Sequence, residues 1–163
     1  MKTFIVDAML GKLATWLRLT GRDAFYSTKA HDDELLRIAL DQNRVLLTSD
    51  SILARRAKEA GVEVMLVRGS VDEEVAGVFL KFGISPVADP SISRCTKCNG
   101  SLTHIREDQK SRIQGLVPDQ TYRYYTEFWF CEYCKSVFFQ GGQWTNIEAY
   151  MERIAQLMKE LES

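Results

Sequence analysis

The chain has 163 residues, 45% of them hydrophobic and 26% charged, with a formal net charge of −1. That apolar content suffices for a buried core and excludes disorder as the main state. The near-neutral charge excludes a bulk polycation, so nucleic-acid contact must come from local patches. No apolar run approaches the roughly 18 residues of a membrane span, so no membrane partner is expected. Histidine is scarce, with only His31 and His104, which argues against histidine-based catalysis. At the N-terminus Asp7 interrupts the apolar run after Phe4-Ile5-Val6, where a signal peptide needs roughly 7–15 apolar residues. A reducing cytoplasm is the expected compartment.

Residues 1–83 alternate short apolar runs with amphipathic stretches. Phe4-Ile5-Val6 predicts a buried strand, and Leu10, Leu13, Ala14 and Leu17 then recur at helical spacing until Gly21. Ala24-Phe25-Tyr26 predicts a second strand. Asp32 or Asp33 is the expected cap of a helix carrying Leu35, Ile38 and Ala39. Val45-Leu46-Leu47 predicts a third strand, followed by a helix over 51–60, and Val64–Val67 a fourth. Ser70 and Glu73 form a capping box opening a helix with Val75, Val78, Phe79 and Phe82 inward, and Gly83 ends it. This alternation predicts an α/β domain with a mostly parallel sheet, whose doubly buried strands read as unbroken apolar runs.

Residues 84–93, with two prolines, predict a linker. From 94 to 144 the texture changes. All four cysteines lie there, and the aromatic run from Thr121 to Phe130 is β-prone. Residues 145–163 predict a C-terminal helix with a capping box from Thr145 to Glu148, burying Ile147, Tyr150, Met151, Ile154 and Met158.

The cysteines form two Cys-x-x-Cys pairs, Cys95/Cys98 and Cys131/Cys134, separated by 32 residues. This spacing puts two thiolates on one side of a tight turn, where two such turns share a tetrahedral ion. The reading is a structural Zn²⁺ held by all four in a β-rich ribbon, leaving no open position for catalysis. Two disulfides, or a redox pair, are the other readings; a redox motif expects a single pair beside a βαβ unit. Asn99-Gly100 suits the turn after the first pair, while Lys135 is less typical after the second. From Arg94 to Tyr125 there are six basic and three acidic residues, with Tyr122, Tyr124 and Tyr125 adjacent. Arg106, Lys110 and Arg112 are candidate RNA contacts there, with the tyrosines for base stacking. The other reading is a solvated face over an aromatic core.

Asp7 directly follows the first strand and Asp50 the third. In a parallel sheet, functional groups gather beyond the carboxyl ends of the strands. Carboxylates brought together repel unless a divalent cation lies between them. Mg²⁺ or Mn²⁺ among oxygen ligands suits phosphodiester hydrolysis. Asp32 or Asp33 is the candidate third ligand, although a helix cap explains either acid equally well. Ser49 and Thr48 are candidate caps or phosphate contacts. Lys12 and Arg18 lie on the first helix, facing either this cleft or solvent.

The segments Asp7-Ala8-Met9-Leu10-Gly11-Lys12-Leu13-Ala14, Trp16-Leu17-Arg18, Leu47-Thr48-Ser49-Asp50 and Arg94-Cys95-Thr96-Lys97-Cys98-Asn99-Gly100 occur in this order. In combination they resemble the PIN-like ribonuclease family named for the C-terminal domain of the Mut-seven exonuclease, and the likeness covers nearly the whole chain. The resemblance implies a PIN-like three-layer α/β/α domain followed by a zinc ribbon. It implies metal-binding catalytic acids at Asp7, Asp50 and Asp32, with Asp33 the alternative to Asp32, and substrate contacts near Lys12 and Arg18. Two departures stand out. The family usually has Thr-Arg-Asp where this chain has Thr48-Ser49-Asp50, and its Trp-x-Gly-Ser-His-Trp-like stretch reads Phe139-Gln140-Gly141-Gly142-Gln143-Trp144.

Two functions follow from these residues. One is a metal-dependent ribonuclease whose ribbon grips RNA or a partner. The alternative is a non-catalytic PIN-like module that binds RNA, a ribosome or a protein. A phosphate-handling receiver or phosphatase fits less well, because Met9 stands where a phosphatase Asp-x-Asp needs its second acid.

Overall fold

A computed structural model describes residues 1–163. The first half builds β1 (Phe4–Val6), α1 (Gly11–Leu19), β2 (Ala24–Tyr26), α2 (Asp32–Asp41), β3 (Val45–Thr48), α3 (Ser51–Glu59), β4 (Val64–Leu66) and α4 (Val71–Phe82). All pairings of the first sheet are parallel, in the order β2-β1-β3-β4, with Ile5 level with both Phe25 and Leu46.

Side chains alternate across a strand, so each strand feeds two cores. Phe4, Val6, Val45 and Leu47 pack with Leu13, Leu17, Val75 and Phe79 of α1 and α4. Ile5 and Leu46 point the other way, onto Leu35, Ala39, Leu53 and Ala57 of α2 and α3. The result is a parallel α/β sheet, as the alternating apolar runs predict, in the three-layer α/β/α arrangement that the family resemblance implies. The Ser70–Glu73 capping box forms as predicted, and Gly83 ends α4 in the left-handed region.

The second region is an antiparallel sheet of β5 (Leu102–Ile105), β6 (Phe128–Cys131) and β7 (Val137–Phe138), in that order. Ile105, Ile113, Phe128 and Phe130 form its small core. The aromatic run is not one strand. Its first part folds into a short helix, α5 (Asp119–Tyr124), and only its end joins β6. Pro118 and Asp119 suit a helix start by φ restriction and by charge, and this local signal overrides the β propensity of the tyrosines.

The last helix, α6 (Gly142–Glu162), begins three residues before Thr145, so the expected capping box does not form. It does not stand apart. Met151 and Ile154 are buried in the same core as α1 and α4, and Tyr150 stacks on Trp16 at 4.0 Å and 6°. The segment 84–93 is likewise pinned. Ile84 is buried in that core, and the Ser93 hydroxyl donates to the Leu19 carbonyl at 2.6 Å. Gly21 adopts φ +90, and a Cβ there would lie 2.7 Å from the Ile92 carbonyl oxygen, so the close approach of this segment requires glycine.

Candidate functional site

The order β2-β1-β3-β4 sends α1 to one face of the sheet, and α2 and α3 to the other. The crevice beyond the carboxyl ends of β1 and β3 is therefore the topological switch point, where open α/β sheets bind ligands. Asp7 and Asp50 both lie there. The Asp7 amide donates to the Leu47 carbonyl at 3.0 Å. Buried Thr48, the last residue of β3, donates its hydroxyl to Asp7 Oδ2 at 2.8 Å and accepts from the Asp50 amide at 3.0 Å. Thr48 is thus the link between the two acids, and half-buried Ser49 lies between Thr48 and Asp50. The Asp50 carboxylate is already engaged as the cap of α3: Oδ1 accepts from the Ile52 and Leu53 amides at 2.8 and 3.2 Å.

Neither Asp32 nor Asp33 is a cap, contrary to expectation. His31 occupies the N-cap position, and the two acids, with Glu34, fill the first turn of α2. They suit the positive end of the helix dipole. Both face Arg56 of α3, which pairs with Asp33 and lies 3.9 Å from Asp32.

Lys12 is exposed in the first turn of α1. Arg18, expected at a substrate cleft, is 5% exposed and serves the junction between the two regions. Its Nε donates to the Ala24 carbonyl at 3.0 Å and its Nη1 to the Thr96 carbonyl at 2.9 Å. The reason is its place at the far end of α1, away from the carboxyl ends of the strands. Arg106 is exposed, Lys110 Nζ lies 4.8 Å from the Tyr122 ring centroid, and Arg112 pairs with Glu132 at 2.8 Å.

The cysteines converge. Their four sulfurs lie within 4.8 Å of one another, and this is the chain's one group of three or more His, Cys, Asp or Glu side chains arranged to hold a metal ion. Cys95 Sγ is 3.6 Å from Cys134 Sγ, and Cys98 Sγ is 3.4 Å from Cys131 Sγ. A disulfide needs about 2.05 Å. A tetrahedral ion with bonds of about 2.3 Å holds sulfurs about 3.8 Å apart, close to the observed spacing.

The two turns share one hydrogen-bond frame. The Asn99 amide donates to the Cys95 carbonyl and the Lys135 amide to the Cys131 carbonyl, both at 2.8 Å. Cys95 and Cys131 in turn donate to Gly100 and Ser136 at 2.8 and 2.9 Å. Asn99 and Lys135 both sit at positive φ, 70° and 63°, so Lys135 takes the place for which its residue type looked ill suited. Gly100 has no room for a side chain, since a Cβ would lie 2.7 Å from Tyr133 and 3.2 Å from two cysteine sulfurs. Burial pushes the Cys95 thiol up to about 12. At Cys134 burial acts the same way but is outweighed by the Ser136 hydroxyl and amide, and the thiol falls to about 6.

Asn99 also carries a contact that its turn-forming tendency did not reveal. Its side-chain oxygen accepts from the Ala24 amide of edge strand β2 at 3.1 Å, and its Nδ2 donates to Asp23 Oδ1 at 2.7 Å. Arg44 donates to the same Asp23 oxygen at 2.7 Å and to the Phe4 carbonyl at 3.0 Å. Burial works to raise the Asp23 pKa, but the hydrogen bonds from Arg44 and Asn99 outweigh it and hold the group below its ordinary value. Neither Asp23 nor Arg44 sits in a sequence motif that points to this role.

Beside α5 an open groove of about 650 Å³ is lined by Gln120, Thr121, Arg123, Tyr124 and Tyr125. Tyr124 is 78% exposed, a large aromatic surface to leave in water.

A parallel three-layer α/β/α domain with acids at its switch point, joined to a ribbon whose four cysteines can hold a metal ion, defines the class of protein. The family model described as the Mut7-C RNAse domain matches residues 2–151, and the chain belongs to that PIN-like family. Neither the curated proteins nor the solved structures yield a match. No helix is long and apolar enough to cross a membrane.

Proposed function

We propose that this protein is a PIN-like RNA-binding module that docks on single-stranded RNA through its ribbon without cutting it. The observation that carries this reading is the groove beside α5, where Arg123, the exposed Tyr124 and the half-buried Tyr125 lie together. Stacking rings beside cations are how sequence-tolerant single-strand binders hold bases and phosphates. Arg106, Lys110 and Arg112 extend the charge. The four thiols suit Zn²⁺, which thiolate tetrahedra favour, as a structural ion. Free thiols in such a cluster also suit a reducing, cytoplasmic setting.

The acids fit this reading because each has a structural partner: Thr48 for Asp7, the α3 amides for Asp50, and Arg56 for Asp32 and Asp33. In a filter-binding assay at low salt, the protein binds single-stranded RNA. Charge reversal at Arg106, Lys110 and Arg112 together weakens binding and flattens its salt dependence. Tyr124→Ala costs about tenfold in affinity, and Asp50→Asn leaves affinity intact. Absence of RNA binding above background overturns the reading.

A second reading, the metal-dependent ribonuclease, is favoured by one observation: Asp7 and Asp50 share the switch point of the sheet. Asp7 and Asp50, with Asp32 from α2, would hold Mg²⁺ or Mn²⁺, which supplies an activated water and stabilises charge on the phosphate. Thr48 would orient the Asp7 carboxylate, and Ser49 and Lys12 would contact the backbone. RNA cleavage with added Mn²⁺ that is lost in Asp50→Asn establishes this reading in place of the first.

A further inference from the structure

We infer that a nucleobase pocket lies at the junction of α1, β7 and α6, midway along a single-stranded RNA track from the ribbon to the switch point. This rests on the RNA-docking reading and assigns a site to it. The pocket is about 350 Å³, within the size range of small-ligand sites, and it is walled by the rings of Trp16, Trp144, Phe138 and Phe139. Gln143 and Asn146, both exposed, put carboxamides at its rim. Flat apolar walls accept the face of a base, and carboxamides both donate to and accept from its edge.

The pocket is not isolated. At one end, Phe139 packs on Tyr125 with ring centroids 4.8 Å apart, and Tyr125 lines the groove beside α5. At the other end, Thr15 and Trp16 also wall a second cavity of about 440 Å³ lined by Lys12 and by Arg153, whose Nε donates to Asp72 Oδ2 in the same cavity at 3.1 Å. Lys12, Thr15, Trp16 and Leu19 recur at the spacing of one helical face. Tyr150 stacks on Trp16, and the Arg153 guanidinium lies 4.8 Å from the centroid of Tyr150. Lys12 stands in the first turn of α1, one short turn after Asp7. Rings come first, then Lys12, then the acids of the switch point. That order suits a polynucleotide, with bases on rings and a phosphate on Lys12.

The test uses the full chain, with 5′-AMP and 5′-UMP as probes beside a single-stranded RNA of about ten nucleotides. Tryptophan emission reports occupancy, because Trp16 and Trp144 wall the pocket. The expected result is saturable quenching by the nucleotides, competed by the RNA. Trp144→Ala and the size-preserving Asn146→Asp each weaken nucleotide binding about tenfold. Near-UV circular dichroism confirms that both variants fold, and Asn146→Asp, at an exposed rim position, keeps the test decisive if Trp144→Ala does not. RNA binding with no nucleotide quenching, or quenching unchanged in Asn146→Asp, overturns the pocket while leaving RNA docking intact. Nucleotide binding without RNA binding upholds the pocket and overturns the docking reading instead.

Discussion

The ribbon and the switch point of the sheet each offer a metal a set of side chains, and they are built in opposite ways. In the ribbon, two local turns with the same hydrogen-bond frame point four sulfurs into one volume, within 4.8 Å of one another. At the switch point the acids arrive from separate elements, and each is engaged. Asp50 caps α3, Asp7 accepts from Thr48, and the α2 acids face Arg56. The ribbon cluster is thus arranged to hold an ion, whereas every acid has a partner within the chain. Position at the switch point is an argument about fold, and convergence of ligands is an argument about chemistry.

The largest effect that can break this contrast is at the cysteines. Cys98→Ser is expected to abolish metal binding and unfold the ribbon, because the free energy of a structural zinc site is folding free energy. Elemental analysis checks the metal, and near-UV circular dichroism the loss of aromatic packing around Trp129 and Phe130. The α/β core should keep its helical far-UV signal. A variant that retains metal and ribbon packing would remove the distinction between the two regions.

The junction comes next. Asp23→Ala leaves Arg44 and Asn99 without their shared acceptor and should cost about 2–3 kcal/mol by urea unfolding. Asn99→Gly relieves the left-handed backbone but loses the side-chain bonds to Ala24, Arg94 and Asp23, for a net cost of about 1–2 kcal/mol. The pH dependence has a definite sign. The Asp23 pKa is depressed in the folded protein, so its stabilisation is full above the unfolded value of about 3.9 and is lost as pH falls through the folded value. Asp23→Asn should flatten the acid limb of the melting temperature; an unchanged acid limb would show that the junction does not depend on this charge.

How much of this was legible in the sequence follows from the range of each signal. The central strands β1 and β3 and the box at Ser70 and Glu73 were readable because burial on both faces, and capping, are local patterns, whereas the edge strands β2 and β4 are only partly buried. The cysteine cluster was readable because its spacing is local twice over. The helix at Asp119–Tyr124 was not, since Tyr122 and Tyr124 favour a strand and only Pro118 and Asp119 argue otherwise. Arg18 was expected near the substrate because the family resemblance implies a contact there; that it is buried against Thr96 depends on a residue 78 positions away. Asp23 carried no signal, because its partners Arg44 and Asn99 come from β3's approach and from the ribbon. The place of Asp7 and Asp50 at the same end of the sheet, linked through Thr48, was inferable from topology, whereas the pairing of Asp32 with Arg56 required the packing of α2 on α3.

A smaller effect separates the two roles of Asp50. Asp50→Ala removes the cap of α3 and should cost about 1 kcal/mol. Asparagine caps as well as aspartate, so Asp50→Asn should leave the unfolding midpoint nearly unchanged while removing the charge. Measuring stability and Mn²⁺-dependent RNA cleavage on both variants divides the outcomes. Equal activity in wild type and Asp50→Asn marks the carboxylate as a cap, whereas stable but inactive Asp50→Asn marks a charge with chemistry of its own and draws the switch point closer to the ribbon in kind.

The smallest effect tests whether the two turns of the ribbon are as equivalent as their hydrogen bonds suggest. Lys135 matches Asn99 in φ and in backbone partners, but its side chain reaches only over the Phe130 ring, 5.7 Å from the centroid. Lys135→Gly removes a left-handed strain of about 1 kcal/mol. Against that stand the greater freedom of glycine in the unfolded chain and the lost cation–π contact, about 0.5 kcal/mol each. The terms nearly cancel, so Lys135→Gly should unfold within about 0.5 kcal/mol of wild type. The same substitution at Asn99 is destabilising because that side chain also joins the ribbon to β2. Equal losses at the two positions would mean that the Asn99 contacts to Ala24 and Asp23 contribute nothing. The polar hold of the ribbon on the α/β domain would then rest on Arg18 with the Thr96 carbonyl, the Arg94 amide on the Arg18 carbonyl and Arg94 beside Asp23.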